Sequence, residues 1–351
     1  MRPDSTSFRT EITTASQIIS IKPTDTIFCI GSCFADNIGQ KLSAGMMNCM
    51  SNPYGAAYNP SSVALQIGRI IDSEPCKNDE IIKTNNSFVS YLTHSKIYAS
   101  SEQKLQQIID TITAQAHTFL KKASLIAITF GTAYTYTAID SKAIVANCHK
   151  LPANNFIRRR LTVDEIVTTW LLTIRKLRTI NPNAHIVFTV SPIRHIKDTL
   201  HGNQISKAIL LQAVDKIVNN TDNTSYFEAY EIMLDDLRDY RFYAEDMIHP
   251  SSIAIEYIYK HFAEAYLSVN TQQMIADGTK LTQAIGHRPI NTDGNEYRTF
   301  IDTTIQRLEN FRQKYNLESD SYNIKQGVKI LNEIKNTLND AKISKNSHNQ
   351  V

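Results

Sequence analysis

Apolar positions in the first three quarters of the chain follow two alternating rhythms. Short continuous runs read as buried strands, and longer stretches with apolar residues three or four apart read as amphipathic helices. Thr26-Ile27-Phe28-Cys29-Ile30 is the first strand, ended by Gly31, after which Ile38 and Leu42 lie on one helix face. A helix over 102–121 precedes a strand at 125–130 that closes at Gly131. Thr162-Val163-Asp164-Glu165 is a capping box opening a helix toward Ile180, where Asn181-Pro182 stops it. A strand at 185–191 ends at Pro192, a helix covers 204–218, a short last strand covers 226–228 and a closing helix covers 251–266. Strands joined by helices imply right-handed crossovers and a parallel sheet covered on both faces.

Beyond about Ser268 no strand signal remains. Ile301, Ile305, Leu308 and Phe311 form one stripe at helical spacing, and Val328, Leu331, Ile334 and Leu338 form another. With 316–320 as a polar connector the tail reads as a helical hairpin whose stripes need a partner surface, either the front domain or a second copy of the chain, and its last ten or so residues read as frayed. The expected organisation is a domain over 22–266 and a helical extension over 267–351.

Composition narrows the class without naming it. Thirty-seven basic residues face 34 acidic ones, a formal net charge of +3, and the only basic run is Arg158-Arg159-Arg160, so no nucleic-acid stripe or polybasic membrane patch is visible. No apolar run approaches the roughly 18 residues of a membrane span, and the polar start has no signal-peptide core. Five cysteines, odd in number and without CxxC pairs, fit free thiols in a cytoplasmic protein.

Chemistry is expected at the carboxyl ends of the strands, where open parallel sheets bind ligands. Gly31-Ser32-Cys33-Phe34-Ala35 leaves a strand through a glycine and starts a helix, so a thiol or hydroxyl there meets the positive helix end. The plainer alternative is a tight turn with Ser32 as N-cap and Cys33 as a small filler. Asp246 lies three residues before His249, a spacing at which a carboxylate can fix the imidazole tautomer and leave Nε2 as a base. The turns at Asn52-Pro53-Tyr54-Gly55, Gly131-Thr132-Ala133-Tyr134, Asn147-Cys148-His149-Lys150 and Ser191-Pro192-Ile193-Arg194-His195 offer N–H groups, hydroxyls or positive charge to an oxyanion, or are turn punctuation only. There is no glycine-rich phosphate loop, GxSxG elbow, HExxH or zinc-knuckle spacing, and Cys148-His149 with Cys29 or Cys33 has no regular metal spacing. Neither a metal nor an organic cofactor is expected.

These motifs together resemble the GSCFA family, named for the pentapeptide present at 31–35, within the SGNH (GDSL-like) hydrolase superfamily. The resemblance covers roughly residues 22–265 in order and leaves the tail outside its motifs. It implies a three-layer α/β/α sandwich with a central parallel sheet of about five strands and a nucleophile after the first strand. It further implies His249 as base, Asp246 as its orienting carboxylate and the amide of Gly55 as an oxyanion donor. An ungapped overlay of Gly31-Ser32-Cys33-Phe34 on G-D-S-L puts Cys33 at the nucleophile position, and a one-residue shift puts Ser32 there. Ala133 stands where the superfamily has the asparagine of GxN, leaving Thr132 or His149 as substitutes. Asn52, Arg194 and His195 complete the expected substrate-binding set. The implied activity is hydrolysis of an acyl ester, deacetylation included, on a small molecule or glycan. Acyl transfer on the same site and a non-catalytic carbohydrate- or acyl-binding module are the alternatives, and the tail helices offer a route to an oligomer.

Overall fold

The computed structural model describes residues 10–13, 17–287, 295–319 and 322–348. Expectations that fall on the start of the chain before Thr10, on Asp320 and on the final three residues lie outside these. The sheet is built from β1 (Thr26–Gly31), β2 (Asn48–Ser51), β3 (Ala123–Phe130), β4 (His185–Val190) and β5 (Thr224–Tyr226), in the spatial order β5-β4-β3-β1-β2. It is a central parallel sheet: β1 pairs with β3, β3 with β4, and β4 with β5, all in parallel. The expected short last strand thus lies two residues earlier than its aromatic pattern suggested, because pairing with β4 selects Thr224–Tyr226 and leaves Phe227 to pack as a buried ring.

Alternation along the strands sorts the covering helices. Phe28 and Ile30 of β1, Ile126, Ile128 and Phe130 of β3, and Phe188 and Val190 of β4 join a core built with α2 (Pro60–Asp72), α3 (Glu102–Lys122), α4 (Val163–Ile180) and α5 (Thr199–Asn219). The intervening residues Cys29, Ala127, Thr129, Val187 and Thr189 gather with Phe34 and Ile38 of α1 (Cys33–Ala44), with Phe227, and with Phe262 of α6 (Ser252–Tyr266). The helices therefore cover both faces. Local signals set their ends: Asn59 caps α2 by accepting from the Ser62 amide at 2.9 Å with Pro60 in the first turn, and the predicted capping box of Thr162 and Glu165 opens α4.

Under the carboxyl ends of β3 and β4, Trp170 of α4 meets Phe130 and Phe188 edge-on, with centroids 5.0 and 5.3 Å away, and donates to the Pro60 carbonyl at 3.2 Å. This buried trio packs at the end of β3, whose last residue, Phe130, precedes Gly131. The antiparallel pair Ile81–Lys83 with Phe88–Ser90, and the three-stranded sheet of Tyr134–Ala138, Ile144–Val145 and Phe156–Arg160, have no counterpart in the sequence reading. The basic run lies on the last of these strands, where Arg158 pairs with Asp198 and Arg159 with Glu165.

Contacts divide the chain into two units. The first comprises residues 1–19, 26–39 and 50–266, and the second residues 20–25, 40–49 and 267–351. Within the second, Val269–Gly286 is a helix the sequence reading lacked, capped by Ser268 and followed by the helices Asn295–Lys314 and Tyr322–His348. Its Gly278 sits so close to Gly45 that a β-carbon would lie 2.4 Å from the Gly45 carbonyl oxygen. Ile301, Leu308 and Phe311 are buried as expected, but Val328 is 40% exposed. The buried stripe of that helix runs instead through Ile324, Gly327 and Leu331, because side-chain-free Gly327 lets Ile285 and Leu308 approach. Among the described residues no helix is long and apolar enough to cross a membrane.

Candidate active site

In this strand order the chain reverses its direction of travel between β1 and β3, the switch point where such sheets open a crevice. Gly31 ends β1 with φ +133°, and a β-carbon there would stand 2.1 Å from the Thr129 carbonyl oxygen. Only glycine permits this approach. The turn at 52–57 is stitched onto the same end. Asn52, itself at φ +40°, accepts from the Gly31 amide at 2.7 Å, and its own amide donates to Cys29.

Ser32 and Cys33, adjacent in sequence, have different environments. Ser32 is buried, and its Oγ accepts from the Phe34 amide at 3.3 Å, the geometry of a helix N-cap. Cys33 is the first residue of α1 and is partly exposed, with its thiol 3.3 Å from the Tyr58 hydroxyl. Burial, and then the contact with Cys33, push the Tyr58 phenol above its ordinary range, so it stays protonated beside the sulfur. One turn further along α1, Asp36 accepts from Asn52 Nδ2 at 2.8 Å, and burial raises its carboxyl.

Asp246 and His249 form the expected pair. Oδ2 of Asp246 lies 2.6 Å from Nδ1 of His249, while Oδ1 accepts from the amides of Ile248 and His249 at 2.9 Å. The His249 amide, then its imidazole, then the Ile248 amide hold the Asp246 carboxyl down to about 2. With Nδ1 turned to the carboxylate, Nε2 is the outward nitrogen.

His195 joins this end of the sheet. Its Nε2, the Ser32 β-carbon and the Tyr58 carbonyl oxygen lie 3.2, 3.4 and 3.1 Å from the place a β-carbon on Gly131 would occupy. Burial, then the charges of Lys207, His249 and Arg158, lower its imidazole to about 4, so it is neutral at physiological pH. Lys207 of α5 is buried, and its Nζ donates to the carbonyls of Gly131 and Ser191 at 2.6 Å each. That single cation ties the ends of β3 and β4 together, and burial lowers it to about 7.

The remaining expected donors are already engaged. The Gly55 amide donates to Asn52 at 2.7 Å inside its own turn, and Gly55 backs onto His94. The Thr132 hydroxyl pairs with Ser206 at 3.2 Å, and its amide donates to Tyr58 at 2.9 Å. His149 places Nε2 2.7 Å from the Ser90 carbonyl oxygen, and burial lowers its imidazole. Arg194 lies over the Tyr243 ring at 4.6 Å, linking the loop after β4 to the loop that carries His249. Tyr58, Asp36, His94 and Lys207 had no role in the sequence reading. Lys207 shares a helical stripe with Leu210, Val214 and Ile217, where a lone lysine is a signal in itself.

Fold and site together define an open parallel α/β protein with Ser32 and Cys33 at the switch point of the sheet. The chain belongs to the GSCFA family, whose description matches residues 26–262, and the GSCFA domain protein C-terminal domain matches residues 279–329. Among solved structures it is similar to an acetyl xylan esterase, Est2A, from the rumen bacterium Butyrivibrio proteoclasticus, at 12% identity and a TM-score of 0.35. That match covers 71% of this chain and 64% of the esterase, so the chain spans just under two thirds of that protein. A second similar structure is a carbohydrate esterase family 3 protein from Talaromyces cellulolyticus, at 8% identity and a TM-score of 0.34, covering 72% of this chain and 99% of the other. No curated protein matches the sequence.

Proposed function

We propose that the protein is an SGNH-type ester hydrolase in which Cys33 is the nucleophile, His249 the base and Asp246 the group that orients it. The observation that carries this reading is the placement of the Cys33 thiol: partly exposed, at the first residue of a helix that opens at the switch point, with a phenol 3.3 Å away. Ser32 is buried and engaged as an N-cap, which favours the thiol over the hydroxyl. In the reaction Cys33 Sγ forms a bond to the acyl carbon, and its proton goes to His249 Nε2. The tetrahedral oxyanion meets the first amide of α1 and the neutral imidazole of His195. Collapse expels the alcohol with the proton from His249, and water attacks the thioester in the same way to release the acid.

The test is p-nitrophenol release from acetyl and butyryl esters by the wild type, Cys33→Ala, Ser32→Ala and His249→Ala, with intact mass followed during turnover. Activity lost in Cys33→Ala and His249→Ala, with an acyl adduct on Cys33, supports the reading; an adduct on Ser32 moves the nucleophile by one residue. A second reading, an acyl- or carbohydrate-binding module, is favoured by the engagement of the Gly55 amide and the Thr132 hydroxyl, which leaves few oxyanion donors. Neither turnover nor adduct in the wild type would select it, or a transferase that needs its acceptor alcohol.

A further inference from the structure

Beside His195 lies a cleft of about 190 Å³ lined by Arg194, Leu200, Asn203, Gln204, Tyr230 and Leu234. Its hydrogen-bonding groups are one-sided. Oδ1 of Asn203, a residue only 5% exposed, accepts from the His195 amide at 3.0 Å, which leaves its NH2 as the group it can offer. Oε1 of Gln204 accepts from the Tyr230 hydroxyl at 2.8 Å, so Gln204 also offers NH2, and the Tyr230 proton is already given. Arg194 contributes a guanidinium that packs on the Tyr240 and Tyr243 rings and hydrogen-bonds the Tyr243 side chain, and no carboxylate among the described residues forms an ion pair with it. Acidic side chains nearby do not supply the missing acceptor. The Tyr226 hydroxyl gives its one proton to the Glu231 carboxylate, 2.8 and 3.0 Å from its two oxygens, and neither Glu231 nor the exposed Asp235 lines the cleft.

A concave site that presents donors and a cation, with its acceptors already occupied, selects a ligand rich in acceptor oxygens and negative in charge. We propose that this cleft is the substrate's second anchor: it binds a carboxylate, so that the esters this protein acts on carry an acid group besides the ester. Asn203 joins the anchor to the chemistry, since the same side chain that faces the cleft holds the backbone of His195. The choice of substrate class rests on the ester-hydrolase reading, whereas carboxylate binding in the cleft does not.

The experiment pairs esters with and without a carboxylate, each enzymatic rate being taken relative to the uncatalysed hydrolysis of the same ester. Hydrolysis of mono-p-nitrophenyl succinate is compared with p-nitrophenyl butyrate, and para-acetoxybenzoate with phenyl acetate, so that the carboxylate is offered on the acyl side and on the leaving group. The charged member of at least one pair is expected to have a kcat/KM about tenfold higher, the effect of one charge-assisted contact. In Arg194→Met and Gln204→Glu that ratio falls to about one or below. Binding is read separately, by titrating succinate or inorganic phosphate into the wild type and following the side-chain NH2 resonances of Asn203 and Gln204. Shifts with succinate and not with phosphate, absent in Gln204→Glu, support the site even in a protein that turns over no ester. Ratios near one in the wild type with both pairs, or resonances unmoved by succinate, overturn it, and turnover of neutral esters would then leave the hydrolase reading standing alone.

Discussion

The hydroxyl of Tyr58 stands 3.3 Å from the sulfur of Cys33. Because burial keeps the phenol protonated, it is a donor to the sulfur when the thiol ionises, and a donor stabilises a thiolate. In Tyr58→Phe the alkylation of Cys33 by iodoacetamide at neutral pH is expected to slow by about fivefold, the value of one hydrogen bond. Peptide mapping separates Cys33 from Cys148, the other half-exposed thiol. An unchanged rate would show that the pair does not govern reactivity.

Removal of the base is expected to reduce kcat toward p-nitrophenyl acetate by about 100- to 10,000-fold in His249→Ala. Asp246→Asn should lower kcat more than it raises KM, since the carboxylate orients the ring. The Asp246 carboxyl is held at about 2, below its ordinary 3.8, so its interaction with the loop is present above pH 3.8 and lost only as pH falls through 2.

His195 has the opposite consequence for stability. Folded, its imidazole titrates near 4 against 6.5 for a free histidine, so between those values the unfolded chain binds a proton that the folded chain does not. Stability falls as pH drops through that window, by roughly 3 kcal/mol in total. In His195→Gln this part of the acid loss disappears. Urea denaturation at pH 7 and pH 4, followed by fluorescence of the single tryptophan, Trp170, measures it, and equal losses in both proteins would refute the assignment.

Two glycines should respond oppositely to alanine. At Gly31 the positive φ and the Thr129 carbonyl 2.1 Å from the added carbon predict a loss of about 3 kcal/mol or more, along with distortion of the turn that holds Cys33. At Gly68, inside α2, nothing lies within 4 Å of the added carbon, so alanine is expected to add about 1 kcal/mol. Thermal melts of the two variants check both signs.

The sheet was legible because β1, β3 and β4 are short, mostly apolar runs punctuated by Gly31, Gly131 and Pro192, and because Thr162-Val163-Asp164-Glu165 marks a helix start by itself. The small antiparallel strands were not. Phe156–Arg160 is four-fifths exposed and basic, and its strand conformation comes from pairing with Tyr134–Ala138 rather than from its own pattern. Helix Val269–Gly286 was missed for a related reason: its buried stripe includes Thr271 and Gly278, which carry little apolar signal. Of the candidate site, the sequence offers the Asp246–His249 spacing and the Ser32-Cys33 turn, and the structure shows the first as a 2.6 Å contact and the second as a helix start. Which amides and hydroxyls are already engaged depends on contacts between distant segments, such as Thr132 with Ser206, and no spacing encodes them.

The pairing of β1 with β3 also sets a timetable for the chain. Residues 26–31 can pair early with residues 48–51 on one edge, but the other edge waits for residues 123–130, so at about 5 to 20 residues per second a ribosome extends the chain for on the order of ten seconds before that second partner emerges. During that wait an apolar strand, fully buried in the folded protein, stands with one edge unpaired, and this is the interval in which a nascent chain is most open to chaperones and to aggregation. The crevice is completed later still, when the loop bearing His249 is made, so nascent chains arrested before that loop would hold the thiol without its proposed base.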